Sequence, residues 1–406
     1  MSDFDGQYTT DWDGSLAKRM QRMRSSIIRQ LLSVSQQPGV ISFAGGLPAP
    51  EMFPVRETRE ACDFILQECP ERALQYGTTQ GYIKLREFLA EKGQKYGVPS
   101  TPDNVLITNG SQQALDLIGR VFINAHDVVL TECPTYLGAI QAWRTYGPEF
   151  VTVPIDDHGM RVDLVEDILK EHKVKFIYVL PNFHNPAGTT LPLERREKLV
   201  ALAAKYNTFI VEDDPYGELR FEGEDIAPII SLHKENTIYL STFSKTLSPG
   251  IRLGWVIAPE QIIAKLTLAK QGADLHTGTF VQYVAHDICQ RGILKSHVQK
   301  IRREYRKRRD VMLETMEKEF PKEFSWTHPQ GGLFLWVRMP EQIDVDQLFK
   351  AALEEKVAFV PGYAFYPNED GRNTMRLNFS CMSPPNIQEG VKRLARAIKR
   401  QLKERA

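Results

Sequence analysis

A lysine with hydroxyl and cationic neighbours follows a strand-like run in the segment from Ser241 to Gly254. Thr242 and Ser244 precede Lys245 in the sequence. Arg252 follows a few residues later, close to glycines. A partly desolvated lysine amine condenses with a carbonyl, and hydroxyl groups together with an arginine hold a phosphate through charge-assisted hydrogen bonds. These residue types favour aldehyde chemistry next to a phosphate, although a lysine near serines is usually a solvated surface group.

Three other polar turns also follow strand-like runs. The segment from Asn109 to Leu115 lies between a strand and a helix, where free backbone N–H groups bind anions. The segments from Pro181 to Gly188 and from Glu212 to Tyr216 lie at strand ends, where open α/β sheets bind ligands. Each turn alone could equally be a helix cap or an ordinary polar turn. Because four separate turns each supply a different polar group, together they predict one ligand site.

The elements that must position these turns alternate along the chain. From Val105 onward, short β-branched runs alternate with amphipathic stretches, which predicts strand and helix layers around a largely parallel sheet. The predicted strands are Val105–Thr108, Val128–Thr131, Phe150–Val153, Phe176–Leu180, Thr208–Val211 and Ile238–Leu240. The fold class is therefore α/β, with a mostly parallel central sheet between helices in a large domain.

Both ends of the chain differ from this alternation and predict a smaller α+β domain. Apolar residues recur every three or four positions between Ser15 and Gln37, which predicts one amphipathic helix. The other predicted elements are a strand at Val40–Phe43, a glycine turn at Gly45–Pro48, long helices over 260–320, strands at Leu333–Val337, Val357–Val360 and Met375–Phe379, and a helix near Ile387–Leu402. The predicted boundaries are an N-terminal segment at 1–50 that joins the small domain, a large ligand-binding domain at 51–310, and a small C-terminal domain at 311–406.

Composition narrows the class of partner. The 406 residues, 42% of them hydrophobic, suffice for two or three domains, and 51 basic residues balance 51 acidic ones, so that no net field favours nucleic acid or acidic membranes. Five cysteines form no C-x-x-C pair, and their odd number argues against a disulfide framework. No export signal and no apolar run of membrane-spanning length is visible. We expect a soluble cytoplasmic protein that binds small molecules, without membrane or nucleic-acid partners.

In order, spacing and residue type, the four turns resemble those of the class I/II aminotransferases of fold type I, which use pyridoxal 5′-phosphate, and the resemblance covers nearly the whole chain. The turns Phe43–Pro48, Leu74–Gly77 and Gly110–Gln113 resemble the branch that acts on 2-aminoadipate, kynurenine and aromatic amino acids. The resemblance implies a homodimer with shared active sites. It implies no metal.

The resemblance also implies a role for individual residues around the cofactor. Lys245 would condense with the cofactor aldehyde and would then carry a proton from the substrate Cα as base and afterwards as acid. Asp213 would pair with the pyridine nitrogen. Tyr216 and Asn185 would bond the phenolic oxygen, while Tyr136 would stack on the ring. The residues around the phosphate would be Ser111, Gln112, Thr242, Ser244 and Arg252 of one subunit and Tyr76 of its neighbour.

Substrate contacts follow from the same resemblance. Arg376 would hold the α-carboxylate as a bidentate pair, with Asn185 and a backbone donor of Gly46 nearby. Arg29 lies away from the apolar stripe of the predicted N-terminal helix. It is either a solvated arginine or, as the resemblance implies, a cation that meets a distal carboxylate when that helix closes over the substrate.

Transamination is the favoured reaction. The expected donor is 2-aminoadipate, an aromatic amino acid, kynurenine or a branched aliphatic amino acid, and the expected acceptor is 2-oxoglutarate, in a ping-pong mechanism. A lyase, decarboxylase or racemase on the same fold is an alternative, which Arg376 disfavours because it would hold the carboxylate. A transcription regulator with a winged-helix module is a second alternative, for which the segment before the glycine turn is too short.

Overall fold

The structure of the chain is a computed structural model that describes residues 11–23, 38–98, 100–368 and 371–403. The strands are β1 (Ile41–Ser42), β2 (Val105–Thr108), β3 (Val128–Cys133), β4 (Glu149–Asp156), β5 (Gly159–Met160), β6 (Val174–Val179), β7 (Phe209–Asp213), β8 (Thr237–Thr242), β9 (Gly254–Ile257), β10 (Ser325–Trp326), β11 (Phe334–Arg338), β12 (Val357–Ala358), β13 (Val360–Pro361) and β14 (Thr374–Asn378). The α-helices are α1 (Trp12–Ser15), α2 (Val55–Glu68), α3 (Pro70–Ala73), α4 (Ile83–Lys95), α5 (Ser111–Phe122), α6 (Leu137–Arg144), α7 (Val165–Glu171), α8 (Leu193–Lys205), α9 (Ile229–Leu232), α10 (Glu260–Asp274), α11 (Thr279–Gln290), α12 (Ile293–Glu319), α13 (Val345–Glu354) and α14 (Pro384–Lys403).

The large sheet carries the strands that end at the polar turns. Its order is β2-β9-β8-β7-β6-β3-β4-β5, in which β3, β4, β6, β7 and β8 run parallel. Strand β9 runs antiparallel to both of its neighbours, β2 and β8. Every residue of β2 and β9 is buried, as expected of a sheet that helices cover on both faces. The predicted α/β class is confirmed, and each of the predicted strands of this domain overlaps an observed one.

A smaller sheet with the order β10-β11-β14-β13 forms the second unit. Helix α14 packs on α12 and α13 through residues at helical spacing, among them Ile387, Val391, Leu394 and Ile398. Strand β1 pairs in parallel with β12, so the N-terminal residues contribute to this unit. The exact domain boundaries stay a prediction, and residue 310 lies within the continuous helix α12. In the described ranges, no helix combines the length and apolarity of a membrane span.

The predicted N-terminal helix differs from the structure where it is described. The chain forms α1 and then a 3-10 helix at Lys18–Arg22, and the extended residues Leu16 and Ala17 separate them. The prediction of one helix from Ser15 is therefore wrong up to Met23. Leu16, Met20 and Met23 remain exposed, and a helix of this length depends on packing of its apolar face. The rest of the predicted helix, including Arg29, lies outside the described residues.

The predicted strand at Val357–Val360 is in fact two strands in different sheets. Strand β12 pairs with β1, whereas β13 pairs with β14. Phe359 lies between them, and all four residues of the run are fully buried. A continuous apolar run contains no polar residue that would mark such a break, so a sequence pattern reads it as one strand.

Candidate active site

A cavity of about 250 Å³ lies at the carboxyl ends of the parallel strands, where open α/β sheets bind their ligands. It is lined by Gly46, Ser111, Gln112, Tyr136, Leu180, Asn185, Asp213, Pro215, Tyr216, Thr242, Ser244, Lys245, Pro249, Arg252 and Arg376. The structure thus brings together all of the site residues proposed from the sequence except Tyr76 and Arg29. The polar turns lie close together because neighbouring parallel strands end at the same edge of the sheet.

One end of the cavity concentrates groups that bind anions. Gly110, with φ +72°, precedes α5, so the free N–H groups of that helix begin at Ser111. A Cβ at Gly110 would lie 2.6 Å from the Arg252 guanidinium, so only glycine admits the arginine this closely. Across the turn, the Thr242 hydroxyl accepts from the Ser244 N–H at 3.1 Å. Helix N–H groups, hydroxyls and a guanidinium converge as a phosphate requires.

Lys245 supplies the amine of the cavity. Its Nζ donates to the carbonyl oxygen of Gly46 at 2.8 Å. The pKa of Lys245 is lowered to about 8, mainly by burial and in addition by the positive charges of Arg376 and Arg252. Near neutral pH a larger fraction of this amine is therefore uncharged than in an exposed lysine, and the uncharged form is the one that attacks a carbonyl.

Asp213, at the end of β7, is 1% exposed and supplies a buried carboxylate. Its Oδ2 accepts from the Tyr178 hydroxyl at 2.8 Å, whereas its Oδ1 has no hydrogen-bond partner among the described residues. Burial raises the pKa of Asp213 to about 7, and the neighbouring charge of Asp214 adds to that effect. A buried acceptor without a donor is costly, so the site fits a cationic N–H group, such as a protonated pyridine nitrogen, at this oxygen.

Polar and aromatic groups border the space between the amine and this carboxylate. The Asn185 amide lies 3.5 Å from the Tyr216 hydroxyl. Tyr136 is the N-cap of α6, and its ring lies over Gly138 so closely that a Cβ there would clash with it. Gln112 donates to the Gly138 carbonyl oxygen at 2.9 Å, which ties the start of α5 to the start of α6. The Tyr136 ring thus lies at the border of the space between the Lys245 amine and the Asp213 carboxylate.

Arg376 supplies a second, fully enclosed cation. It is 2% exposed, and its two Nη atoms donate to Asn185 Oδ1 at 2.8 Å and to the Ala44 carbonyl oxygen at 2.7 Å. The guanidinium lies 4.3 Å from the ring centre of Phe334 and 4.8 Å from that of Phe365. Burial lowers the pKa of Arg376 to about 10, and in the part of the chain that the structure describes its Nε has no hydrogen-bond partner. A carboxylate ligand would supply the missing acceptor and the missing countercharge.

Sequence reasoning missed the residues that contact Asp213 and Arg376 from outside the cavity lining. Tyr178 is one of them, and it had a signal, because a buried tyrosine in an apolar strand needs a hydrogen-bond partner. It lies opposite Val211 in the β6–β7 pair, two residues before Asp213. Phe334 and Phe365, which enclose the guanidinium, carry no signal that separates them from core aromatics.

Tyr76 does not line the cavity of its own chain. It is 78% exposed, and its ring meets the ring of His276 edge-on at 5.6 Å. Leu74 and Leu275, next to these two residues in the sequence, are also exposed. Arg29, the other residue missing from the cavity, lies outside the described residues.

The residues present therefore fit pyridoxal phosphate: an anion-binding turn for its phosphate, a carboxylate for its ring nitrogen, and an amine for its aldehyde. A separate enclosed guanidinium remains for an amino-acid carboxylate. The fold and this cavity together define a pyridoxal-phosphate-dependent aminotransferase.

The chain belongs to the aminotransferase class I and II family, whose model matches residues 50–394. The aromatic-amino-acid aminotransferase 1 of Thermococcus litoralis is 47% identical, over 98% of this chain and 97% of its own. The 2-aminoadipate transaminase of Thermus thermophilus is 44% identical, over 96% of this chain and 97% of its own. A crystal structure of an α-aminoadipate aminotransferase from Thermus thermophilus, complexed with N-(5′-phosphopyridoxyl)-L-leucine, matches with a TM-score of 0.92 at 43% identity, over 97% of this chain and 100% of its own.

Proposed function

We propose that this aminotransferase moves amino groups from 2-aminoadipate, aromatic amino acids, kynurenine or branched aliphatic amino acids to 2-oxoglutarate by a ping-pong mechanism. The observation that carries the proposal is the enclosed Arg376 guanidinium, with a free Nε, in the same cavity as the Lys245 amine. The relatives support the range of donors. One is named for aromatic and one for acidic amino acids, and the solved aminoadipate enzyme holds a leucine derivative.

The proposed roles divide binding from proton transfer. Pyridoxal phosphate, when bound, supplies the electron sink for the pair released at the substrate Cα. Arg376 orients the α-carboxylate, and Asp213, as the carboxylate, stabilises positive charge at the ring nitrogen. The neutral Lys245 amine would accept the proton from the substrate Cα and, once protonated, would donate it to the exocyclic carbon of the cofactor, and its lowered pKa permits both roles near neutral pH. Tyr216 and Asn185 would bond the phenolic oxygen of the bound cofactor, and Ser111, Gln112, Thr242, Ser244 and Arg252 would hold its phosphate.

A donor panel with purified enzyme tests the function. Each candidate amino acid is mixed with cofactor-loaded enzyme in the absence of an oxo acid, and the 2-oxo acid and pyridoxamine phosphate formed in one turnover are measured. We expect one equivalent of each per site, followed by regeneration on addition of 2-oxoglutarate. Release of carbon dioxide or ammonia without pyridoxamine phosphate would instead assign a decarboxylase or lyase. A cytoplasmic location and the lack of a nucleic-acid partner stay predictions.

A homodimer with shared sites is also part of the proposal. Tyr76 is exposed, as are Leu74 and Leu275, which lie near Tyr76 and His276 in the sequence, and exposed aromatic and aliphatic side chains are typical of protein–protein contacts. We propose that Tyr76 donates a hydrogen bond to the cofactor phosphate held by the neighbouring subunit.

Replacing Tyr76 with phenylalanine should weaken cofactor retention by about three- to tenfold, since one phosphate hydrogen bond is lost. Equilibrium dialysis measures the dissociation constant, and Tyr206→Phe, which removes a bond to Glu166 far from the cavity, serves as the control. Mixing Tyr76→Phe with Lys245→Ala chains should produce dimers with one intact site. Mixed dimers in which no site regains wild-type retention would contradict the shared site.

Arg29 is proposed to bind the distal carboxylate of acidic substrates. Arg29→Gln should lower the single-turnover efficiency about ten- to hundredfold for glutamate and 2-aminoadipate, the typical loss for a charged hydrogen bond. Aromatic and aliphatic donors should be almost unaffected in the same half-reaction. Equal losses for both kinds of donor, or no loss for either, would make Arg29 an ordinary surface residue.

A further inference from the structure

A partly buried polar cluster adjoins the anion-binding turn. Asp274, the last residue of α10, accepts from the Asn109 side-chain amide at 2.5 Å and from the Gln113 amide at 2.7 Å. Lys270, one turn earlier on the same helix, donates to Asp274 at 2.7 Å and to Gln113 Oε1 at 2.9 Å. Gln113 Oε1 also accepts from the Asn109 backbone N–H at 2.8 Å. We call these four residues the turn clamp.

Hydrogen bonds connect the four residues of the turn clamp to one another, and the clamp lies outside the cavity. None of its residues lines the cavity described above. Lys270 is completely buried, whereas the Asp274 side chain is 22% exposed. A buried ammonium is tolerated only when it is paired and hydrogen-bonded, and Lys270 meets both conditions through Asp274 and Gln113.

Asn109, the clamp residue that directly precedes Gly110, joins the clamp to the turn. The Asn109 carbonyl oxygen accepts from Arg252 Nη2 at 3.3 Å. The backbone N–H of Asn109 donates to Gln113, and its side-chain amide donates to Asp274. Asn109 is therefore held on both sides, by Arg252 toward the cavity and by Asp274 and Gln113 behind it. Gly110, at φ +72°, has little resistance of its own to a change of backbone conformation.

We propose that Asp274 and Lys270 are positioning residues that, through Asn109 and Gln113, hold the Gly110–Ser111 turn and Arg252 in the arrangement that binds the cofactor phosphate. The inference rests on the proposed role of that turn. Lys270 has a second effect, because it neutralises Asp274, whose charge would otherwise repel the phosphate. The clamp therefore fixes the conformation of the turn at this end of the cavity without adding net negative charge.

Asn109→Ala is the sharpest variant, since it removes the bond to Asp274 and keeps both the backbone bond to Arg252 and the Lys270–Asp274 pair. Binding to the cofactor-free protein is measured for pyridoxal phosphate and for pyridoxal, which lacks the phosphate. We expect the dissociation constant for pyridoxal phosphate to rise roughly tenfold, and that for pyridoxal to stay unchanged. Asn104→Ala is the control, because Asn104 is also buried and donates to the Ala258 carbonyl oxygen, yet it is not part of the clamp.

Lys270→Met tests the charge effect. It should weaken pyridoxal phosphate binding about ten- to hundredfold, more at low than at high salt, because Asp274 is left without its countercharge. If this variant does not fold, Asn109→Ala alone decides. Equal losses for both ligands in Asn109→Ala, or a shift as large in Asn104→Ala, would show that the clamp serves stability only. A wild-type protein that binds pyridoxal as tightly as pyridoxal phosphate would instead overturn the assignment of the turn itself.

Discussion

Replacing Lys245 with alanine should reduce turnover by about a thousandfold or more while the protein stays folded and still binds the cofactor. The loss is large because this one amine would both bond the cofactor aldehyde and move the Cα proton, and general acid–base catalysis alone contributes on the order of a hundred- to ten-thousandfold. Cofactor binding survives because the anion-binding turn and Asp213 are unchanged.

Borohydride reduction followed by peptide mass analysis measures the covalent link directly. Wild-type protein should carry the reduced cofactor on Lys245, and the variant should carry none. Lys205→Ala, at an exposed pair with Glu166 far from the cavity, is the matched control and should behave as wild type. Undiminished steady-state turnover by Lys245→Ala would exclude the proposed mechanism.

Asp213→Asn should lower kcat/KM at least about a hundredfold, the loss typical of a preorganised electrostatic contact in an active site. An amide cannot stabilise a positive ring nitrogen as a carboxylate does, so the electron sink weakens. Asp214→Asn is the matched control, because that carboxylate bonds the Gly217 N–H at 2.9 Å and the Tyr239 hydroxyl at 3.2 Å. Its effect on kcat/KM should be several times smaller.

The same substitution should stabilise the cofactor-free protein above neutral pH. Burial raises the pKa of Asp213 to about 7 from its ordinary 3.8, so between these values the folded chain holds a proton that the unfolded chain has lost. The free energy of unfolding therefore falls as the pH rises from about 4 to 7, and Asn removes that loss. Thermal melts of the cofactor-free proteins at pH 5 and pH 8 measure the difference. A lower melting temperature of Asp213→Asn at pH 8 would contradict the assigned protonation.

The positions of the main strands and most of the candidate site were predictable because each polar turn follows a recognisable strand. Asp213 is the last residue of β7, Asn185 and Lys245 follow β6 and β8, and adjacent parallel strands place such positions side by side. The N-terminal helix was not predictable in the same way. The apolar stripe indicates which face of a helix would pack, but it carries no information on whether another surface is available to pack against that face.

The sequence by itself determined which reactive groups the site contains, because residue types and strand ends are local properties of the chain. Only the tertiary structure decided which polar atoms remain free to meet a ligand. Among the described residues it leaves Asp213 Oδ1 and Arg376 Nε buried without a hydrogen-bond partner, pairs Asp213 Oδ2 with the Tyr178 hydroxyl, and pairs the Asn109 side chain with Asp274. The physical reason is that a hydrogen bond joins groups distant in the sequence, and a local pattern carries no information about the partner that a buried donor or acceptor will find.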